Sequence, residues 1–470
     1  MKNPPKESRL QDFLDNPPKA LWRLALPMMA GMGIQTVYML VDMMFIGRIS
    51  GEAIAAVAFV MPLMFLVFGM TMGLGSGVTA SIARFIGKED KQSADNSAEH
   101  ALALGGILSL ILVSTGLLYG QDMIALLGAP QSITVLSWPY LKVITFGLPF
   151  MIYSMFFRSI LSGEGDMKLP MIVAGFGTVL NIILDPIFIF SLNMGVRGAA
   201  VATVFSQIFV LIIFVYMLFV KEHTYIRFKM RDFSPSLRII KDIMVVGIPA
   251  SISMVVMAVG GGVFNKILVH YSTDAVAAYQ IGSRIDHIIF LPIMAIATAI
   301  TTLVGMFYGA GEIEKVKLVV KYAITRCIFI TFISSGLVFI FAPLIVAGFT
   351  TNENINEIAV TFLRLITLVY PIVPIGMTSG RVLQGLGRGL PMLVLTVIRV
   401  VGVSAPLALI FTFVFDKPVE WVWYSMMFSI TISVSTALTW LRFTYRKIEK
   451  SASLDTTNIS DISLSTAPFN

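Results

Sequence analysis

The chain has 470 residues, 56% of them hydrophobic and only 13% charged, with a formal net charge of +7 and a mean hydropathy of +0.85. That balance excludes an ordinary soluble globular domain and points to a membrane protein. One cysteine, Cys327, excludes an intrachain disulfide framework, and the four histidines show no metal-ligand or nucleophile–base spacing, which argues against an enzyme, a metal centre or a bound cofactor.

In chain order, residues 1–19 are polar, carry Pro4, Pro5, Pro17 and Pro18, and lack the apolar core of a signal peptide, so they read as a cytoplasmic segment. Apolar stretches able to cross ~30 Å of hydrocarbon then follow almost without pause. Twelve helices are predicted, over 20–46, 52–82, 94–119, 132–162, 169–190, 197–220, 244–271, 274–308, 317–343, 356–385, 390–415 and 420–445. Basic residues gather in alternate loops: Lys88 and Lys91, Lys168, the run Lys221, Arg227, Lys229, Arg231, Arg238 and Lys241, then Lys315 and Lys317, Arg388, and Arg446, Lys447 and Lys450. Arg48, Arg197 and Lys417 are the exceptions. This positive-inside pattern places both termini in the cytoplasm and accounts for the net charge without a nucleic-acid partner. Residues 221–243 read as a cytoplasmic linker, and the Ser/Thr-rich stretch within 447–470 as a disordered tail.

The chain repeats itself. Leu26-Pro27 matches Ile248-Pro249 at a shift of 222; EAIAAV from Glu52 meets DAVAAY from Asp274, RFIGKED from Arg84 meets MFYGAGE from Met306, and LSGEGD from Leu161 meets LQGLGR from Leu383 at the same shift. A constant register across separated segments implies duplication. The fold class is therefore all-α, with an N-lobe over 20–220 and a C-lobe over 244–446, six helices each, related by a parallel repeat. Such lobes hold a substrate between them and open to one side at a time.

A repeat is also an internal control. Asp42 falls on Phe264 and Asp185, aligned through Pro186 and Pro406, on Ala405, so the second lobe keeps the prolines and drops both acids. A carboxylate inside the bilayer costs several kcal/mol if charged and unpaired, so such acids pair, protonate or bind an ion. Gln35, Tyr38 and Asp42 share one face of the first span, Asn181 and Asp185 one face of the fifth, and Thr203 and Ser206 on the sixth reach a similar depth. These seven residues are the predicted cluster, with Pro27 and Pro186 as hinges of the acid-bearing helices. In the C-lobe, Asp286 with Arg399 or Arg284 forms either a neutralised pair or a second site. The stretch GMTMGLGSG over 69–77 lacks the strand and Gly-Lys-Ser/Thr ending of a phosphate loop and reads as helix packing.

The segments LPMMAGMGIQTVYMLVDMMFIG, RFIGKEDKQSADN, SGEGDMKLPM and NIILDPIFIF together resemble the multidrug and toxic compound extrusion (MATE) family, specifically its DinF-like branch, named after DNA-damage-inducible protein F. The resemblance runs from about 20 to 445. It implies an antiporter of the inner membrane that expels organic, often cationic amphipathic compounds in exchange for inward protons or sodium. It also implies that the coupling site lies at Asp42 and Asp185 with Asn181 and Thr203, supported by Gln35 and Tyr38, in a helix that bends at Pro27. One departure occurs on the fourth span, where Met155 stands in place of an asparagine of that branch. The implied partners are small organic molecules and the bilayer, around a monomer. A flippase for lipids or lipid-linked oligosaccharides shares this architecture and is the alternative reading. It calls for a wide basic cleft, whereas the basic residues here lie in the loops.

Overall fold

The computed structural model describes residues 8–228 and 233–465, and these are helical throughout apart from short connections. The predicted basic residues Lys229 and Arg231, and the last five residues of the predicted tail, lie outside the described residues. The helices are α1 (Leu10–Asp15), α2 (Pro17–Gly47), α3 (Gly51–Gly87), α4 (Lys91–Leu126), α5 (Gln131–Gly163), α6 (Lys168–Pro186), α7 (Val196–Val215), α8 (Leu237–Tyr271), α9 (Thr273–Gly309), α10 (Ile313–Ala347), α11 (Glu353–Thr367), α12 (Val373–Gly385), α13 (Leu390–Val397), α14 (Ala405–Leu409) and α15 (Glu420–Ser465). Eleven stretches of the described chain are long and apolar enough to span a bilayer.

The tenth expected span is the exception, because Pro371 and Pro374 split it into α11 and α12. Proline removes an N–H donor and disfavours the helical conformation of the preceding residue. The same chemistry widens the fifth span, where the helix continues past Pro186 as a π-turn over Ile187–Ser191. In the eleventh, π-segments over Ile398–Ser404 and Ile410–Val414 flank α14, which carries Pro406.

The repeat is written into the turns as well as the spans. Ser50 caps α3 through the Ala53 N–H, and Ser272, 222 residues on, caps α9 through the Ala275 N–H. Left-handed backbone recurs at Glu89 and Gly311, and at Gly165 and Gly387, again 222 apart.

Three boundaries depart from expectation. First, α1 lies in a stretch expected to be merely polar. Its Leu10, Phe13 and Leu14 are buried, Phe13 lies against Gly165 of one lobe and near Met306 of the other, and Arg9 donates to the Gly165 carbonyl and to Asp166. A six-residue helix cannot hold itself in water, so this one exists by docking. Second, α8 starts at Leu237, capped by Ser236, which shortens the linker. Third, the last helix continues to Ser465 where a disordered tail was expected, since extending a formed helix is far easier than nucleating one.

The linker is strapped to the N-lobe. Tyr225 and Ile226 give their N–H groups to the Glu164 carboxylate, Arg227 gives its N–H to Asp95, and Ser236 gives its own to His100 Nε2. Burial pushes the Glu164 carboxyl up to about 8, outweighing the two N–H donors and Arg9, which favour the anion. Asp166 goes the other way: burial alone would raise it, but Arg9, the Leu169 N–H and His223 hold it below the usual range. An acid held above its ordinary value destabilises the fold once it must ionise, so stability falls as pH rises from about 4.5 through about 8. Asp166 contributes no slope in that window, because its titration lies further into the acid. Glu164→Gln, whose amide oxygen can still accept both N–H bonds, is expected to flatten the pH dependence of the thermal midpoint between about pH 5 and 8. An unchanged slope in melting curves of the variant would place the effect elsewhere.

The lobes pack tightly against each other at one end of the bundle. Gly69, Gly73 and Gly77 form a small-residue stripe on α3 that lies against Met254, Ser251 and the Ile243–Gly247 turn of α8, and the backbones of Gly87 and Gly309 touch. This is close packing of the kind that joins helices where lipid removes the hydrophobic drive, as expected for GMTMGLGSG. Hydrogen bonds cross the same seam: Thr302 to the Ser162 carbonyl, Ser81 to Asp242, Arg84 to Asp242 and to the Gly385 carbonyl. One hydrophobic core accordingly runs through the N-lobe into the C-terminal half of α9 and the end of α12, while a second core is confined to the C-lobe. At the other end, Gly261 and Gly262 of α8 face open space, and only Gly260 of that triplet packs, against Val400. The closed end carries the basic loops.

Candidate functional site

The acid-bearing helices bring their polar faces together. Asn181 and Asp185, one turn apart on α6, are both buried, Asp185 completely. With its amide oriented by its neighbours, Asn181 donates to Asp185 Oδ2 at 3.0 Å and accepts from the Thr203 N–H of α7 at 3.1 Å. Asp42, five residues before the end of α2, reaches hydrogen-bonding range of Asp185. Tyr38, one turn earlier, contacts the Thr203 side chain, whose hydroxyl donates to the Ala199 carbonyl.

Asp42, Asp185, Asn181, Thr203 and Tyr38 thus come together where α2, α6 and α7 meet. Tyr140 of α5 joins them within electrostatic range of both acids, and sequence reasoning missed it. The only signal was a buried-depth tyrosine on a span from which no acid partner was sought. Gln35 is exposed. Ser206 is buried but spends its hydroxyl on the Ala202 carbonyl of its own helix. Met155 lies half-buried on α5, its carbonyl taking the Ser159 hydroxyl. Pro27 and Pro186 sit inside α2 and at the end of α6.

Two carboxyl groups at hydrogen-bonding range in a low-dielectric interior cannot both stay ionised and unpartnered; a proton or cation between them resolves the repulsion. Asp42 Oδ1 and Asp185 Oδ1 are both buried without a hydrogen-bond partner among the described residues. Oxygen donors from two acids, an amide and a hydroxyl suit a proton or a hard monovalent cation. Among the described residues no cluster of three His, Cys, Asp or Glu side chains exists to hold a transition metal.

The second lobe treats the equivalent place differently. Phe264, the counterpart of Asp42, is buried in an aromatic group with Tyr279, Phe362 and Trp423. The expected pairing of Asp286 with Arg284 or Arg399 is not formed among the described residues. Asp286 instead accepts the Tyr370 hydroxyl, Arg284 is exposed, and Arg399 lies half-buried in a π-segment. A neutral donor needs no second desolvated charge, which favours it in an interior position.

A family model described as MatE matches residues 27–187 and again 249–410, starting at the two prolines 222 residues apart. The chain belongs to the MatE family. Similar to it are a probable multidrug resistance protein NorM of Thermotoga maritima, 29% identical over 94% of this chain and 96% of that one, and a solved MOP-superfamily transporter of Pyrococcus furiosus, 32% identical with a TM-score of 0.90 over 95% of this chain and all of that one. The latter is described as having a binding pocket of reverse polarity that suggests a different function. A multidrug resistance MATE transporter solved in an outward-facing conformation superposes with a TM-score of 0.89 at 32% identity, over 95% of this chain and 99% of that one. This MatE chain is a multi-pass membrane transporter, not an enzyme; among its described residues the eleven continuous spans and the broken one of α11 and α12 make the twelve of a two-lobe fold.

Proposed function

We propose that this MatE chain is an export antiporter of the DinF-like branch, which expels organic, often cationic amphipathic compounds in exchange for protons or sodium ions at Asp42 and Asp185. The observation that carries the reading is the fully buried Asp185, held by Asn181 and facing Asp42, in a lobe whose copy has Ala405 and Phe264 at those positions. In this scheme the end opposite the basic loops opens outward, and both termini lie in the cytoplasm of a monomer.

The exchange follows from the chemistry of the pair. Outward-open protein holds a cationic compound near the carboxylates by charge. An entering proton or sodium ion neutralises one carboxylate and removes the attraction. The two acids then approach, α2 bends at Pro27, where one backbone hydrogen bond is already missing, and the N-lobe cavity narrows. Each step uses differential binding between two states, the one route by which a ligand can drive a conformational change.

A gradient-swap experiment tests this. Purified protein in liposomes loaded with ethidium is expected to move the dye when an inward proton or sodium gradient is imposed, and to stop when that gradient is collapsed. Dye movement indifferent to both gradients would overturn the coupling.

A further inference from the structure

At the closed end, where α3 finishes and α8 begins, lies a pocket of about 260 Å³ lined by Arg84, Lys88, Arg238, Lys241, Asp242 and Val245. Arg84 and Lys88 belong to the N-lobe, the others to the start of the C-lobe, so the pocket straddles the seam. Asp242 is already engaged by the buried Arg84 and by the Ser81 hydroxyl. Lys88, Arg238 and Lys241 are exposed, and among the described residues no carboxylate is paired with any of them. Four cations against one carboxylate leave three positive charges gathered on a closed interface between two moving bodies.

The pocket also has a direction. On α8, residues 238, 241, 245, 248 and 252 follow one another at helical spacing on a single face. Its first two members are basic, and the next three, Val245, Ile248 and Ile252, are exposed aliphatics in a span long enough to cross the bilayer. A basic head followed by an apolar track is the complement of a molecule with a phosphodiester head and acyl chains. Free phosphate would satisfy the head alone and leave the track unexplained.

We propose that this pocket binds the headgroup of an anionic phospholipid, with an acyl chain laid along Val245, Ile248 and Ile252, and that the bound lipid clamps the lobes at the closed end. The phosphate bridges Lys88 of one lobe to Arg238 and Lys241 of the other, and it offsets the repulsion among them. When the seam opens, α3 separates from α8 and the bridge is lost. Anionic lipid therefore favours the conformation seen here. The site is remote from Asp42 and Asp185, and it stands whether or not those acids couple transport.

The test is native mass spectrometry of the full-length protein, titrated separately with dioleoylphosphatidylglycerol, dioleoylphosphatidylcholine and inorganic phosphate. One phosphatidylglycerol per chain is expected to survive in preference to phosphatidylcholine. Lys88→Gln with Lys241→Gln is expected to weaken it by about fivefold per basic residue removed, roughly thirtyfold for the pair. Lys417→Gln, which removes one positive charge at a distant loop, as Arg238→Gln does at the pocket, is expected to leave it unchanged. Arg238→Gln alone repeats the test should the double variant be unstable. Wild-type retention of phosphatidylglycerol by these variants overturns the site. Inorganic phosphate competing as tightly as the lipid overturns the lipid assignment.

Discussion

Asp185→Asn is expected to remove gradient-driven efflux by at least about tenfold while leaving the protein folded, and to raise its thermal midpoint if it changes it at all. The residue is completely buried and its Oδ1 has no hydrogen-bond partner among the described residues, so a charge there is costly to the fold. Asparagine keeps the shape and keeps an oxygen for the Asn181 amide, but it cannot take up and release a proton or neutralise a cation. A loss of transport without a loss of stability is the signature of a group retained for function. Asp42→Asn is expected to have the same effect, and the double variant to be no worse than either single one. The two carboxyls act as one titrating unit, so their effects on transport do not add. The measurement is the initial rate of dye efflux into a gradient, beside melting curves of the same preparations. Full transport by a folded Asp185→Asn protein would remove the acids from the mechanism. Strictly additive losses would instead make them two independent sites.

How much of this was legible beforehand depended on the range over which the information is stored. The spans, the repeat and the glycine stripe could be read because each is periodic and local: apolar runs of bilayer length, a shift of 222, small residues one turn apart. The acid pair could be read because the second lobe served as a control for the first. What failed was side-chain pairing across helices. Asp286 finds Tyr370 of the broken tenth span, a residue 84 positions away whose placement depends on where the prolines break the helix. Tyr140 reaches the acids from a helix that carries none, and no periodicity marks it. Gln35 satisfies the spacing to Asp42 yet is exposed where Asp185 and Asn181 are buried, since i, i+3 and i+7 define a face only to within the width of a side chain. Helix α1 was missed for a different reason: its apolar triad Leu10, Phe13 and Leu14 is too short to fold without the seam that receives it.

Gly77→Val is expected to hold the closed end of the bundle open and to reduce transport by more than about tenfold, although Gly77 lies far from the acids and carries no chemistry. A Cβ at this position would collide with the Ile243 carbonyl oxygen and lie 3.0 Å from the Gly247 nitrogen. Both are backbone atoms of α8, so no rotamer change relieves the overlap. Overpacking typically costs about 1–3 kcal/mol, and each 1.4 kcal/mol is tenfold in a two-state ratio. Because the overlap occurs only where α3 and α8 touch, the cost falls on the closed state and leaves the alternative untouched. A transporter that must pass through both states then stalls, whereas a protein with a single working conformation would merely lose stability. Spin labels at Glu89→Cys and Glu312→Cys, in a Cys327→Ala background, report the separation of the two lobes at that end. The Gly77→Val distance distribution is expected to move to longer values. Gly261→Ala, with nothing within 4 Å of the added carbon, is expected to leave both distance and transport as they were. An unchanged distance in Gly77→Val, together with unchanged efflux, would mean that the seam closes by some contact other than the Gly69–Gly73–Gly77 stripe.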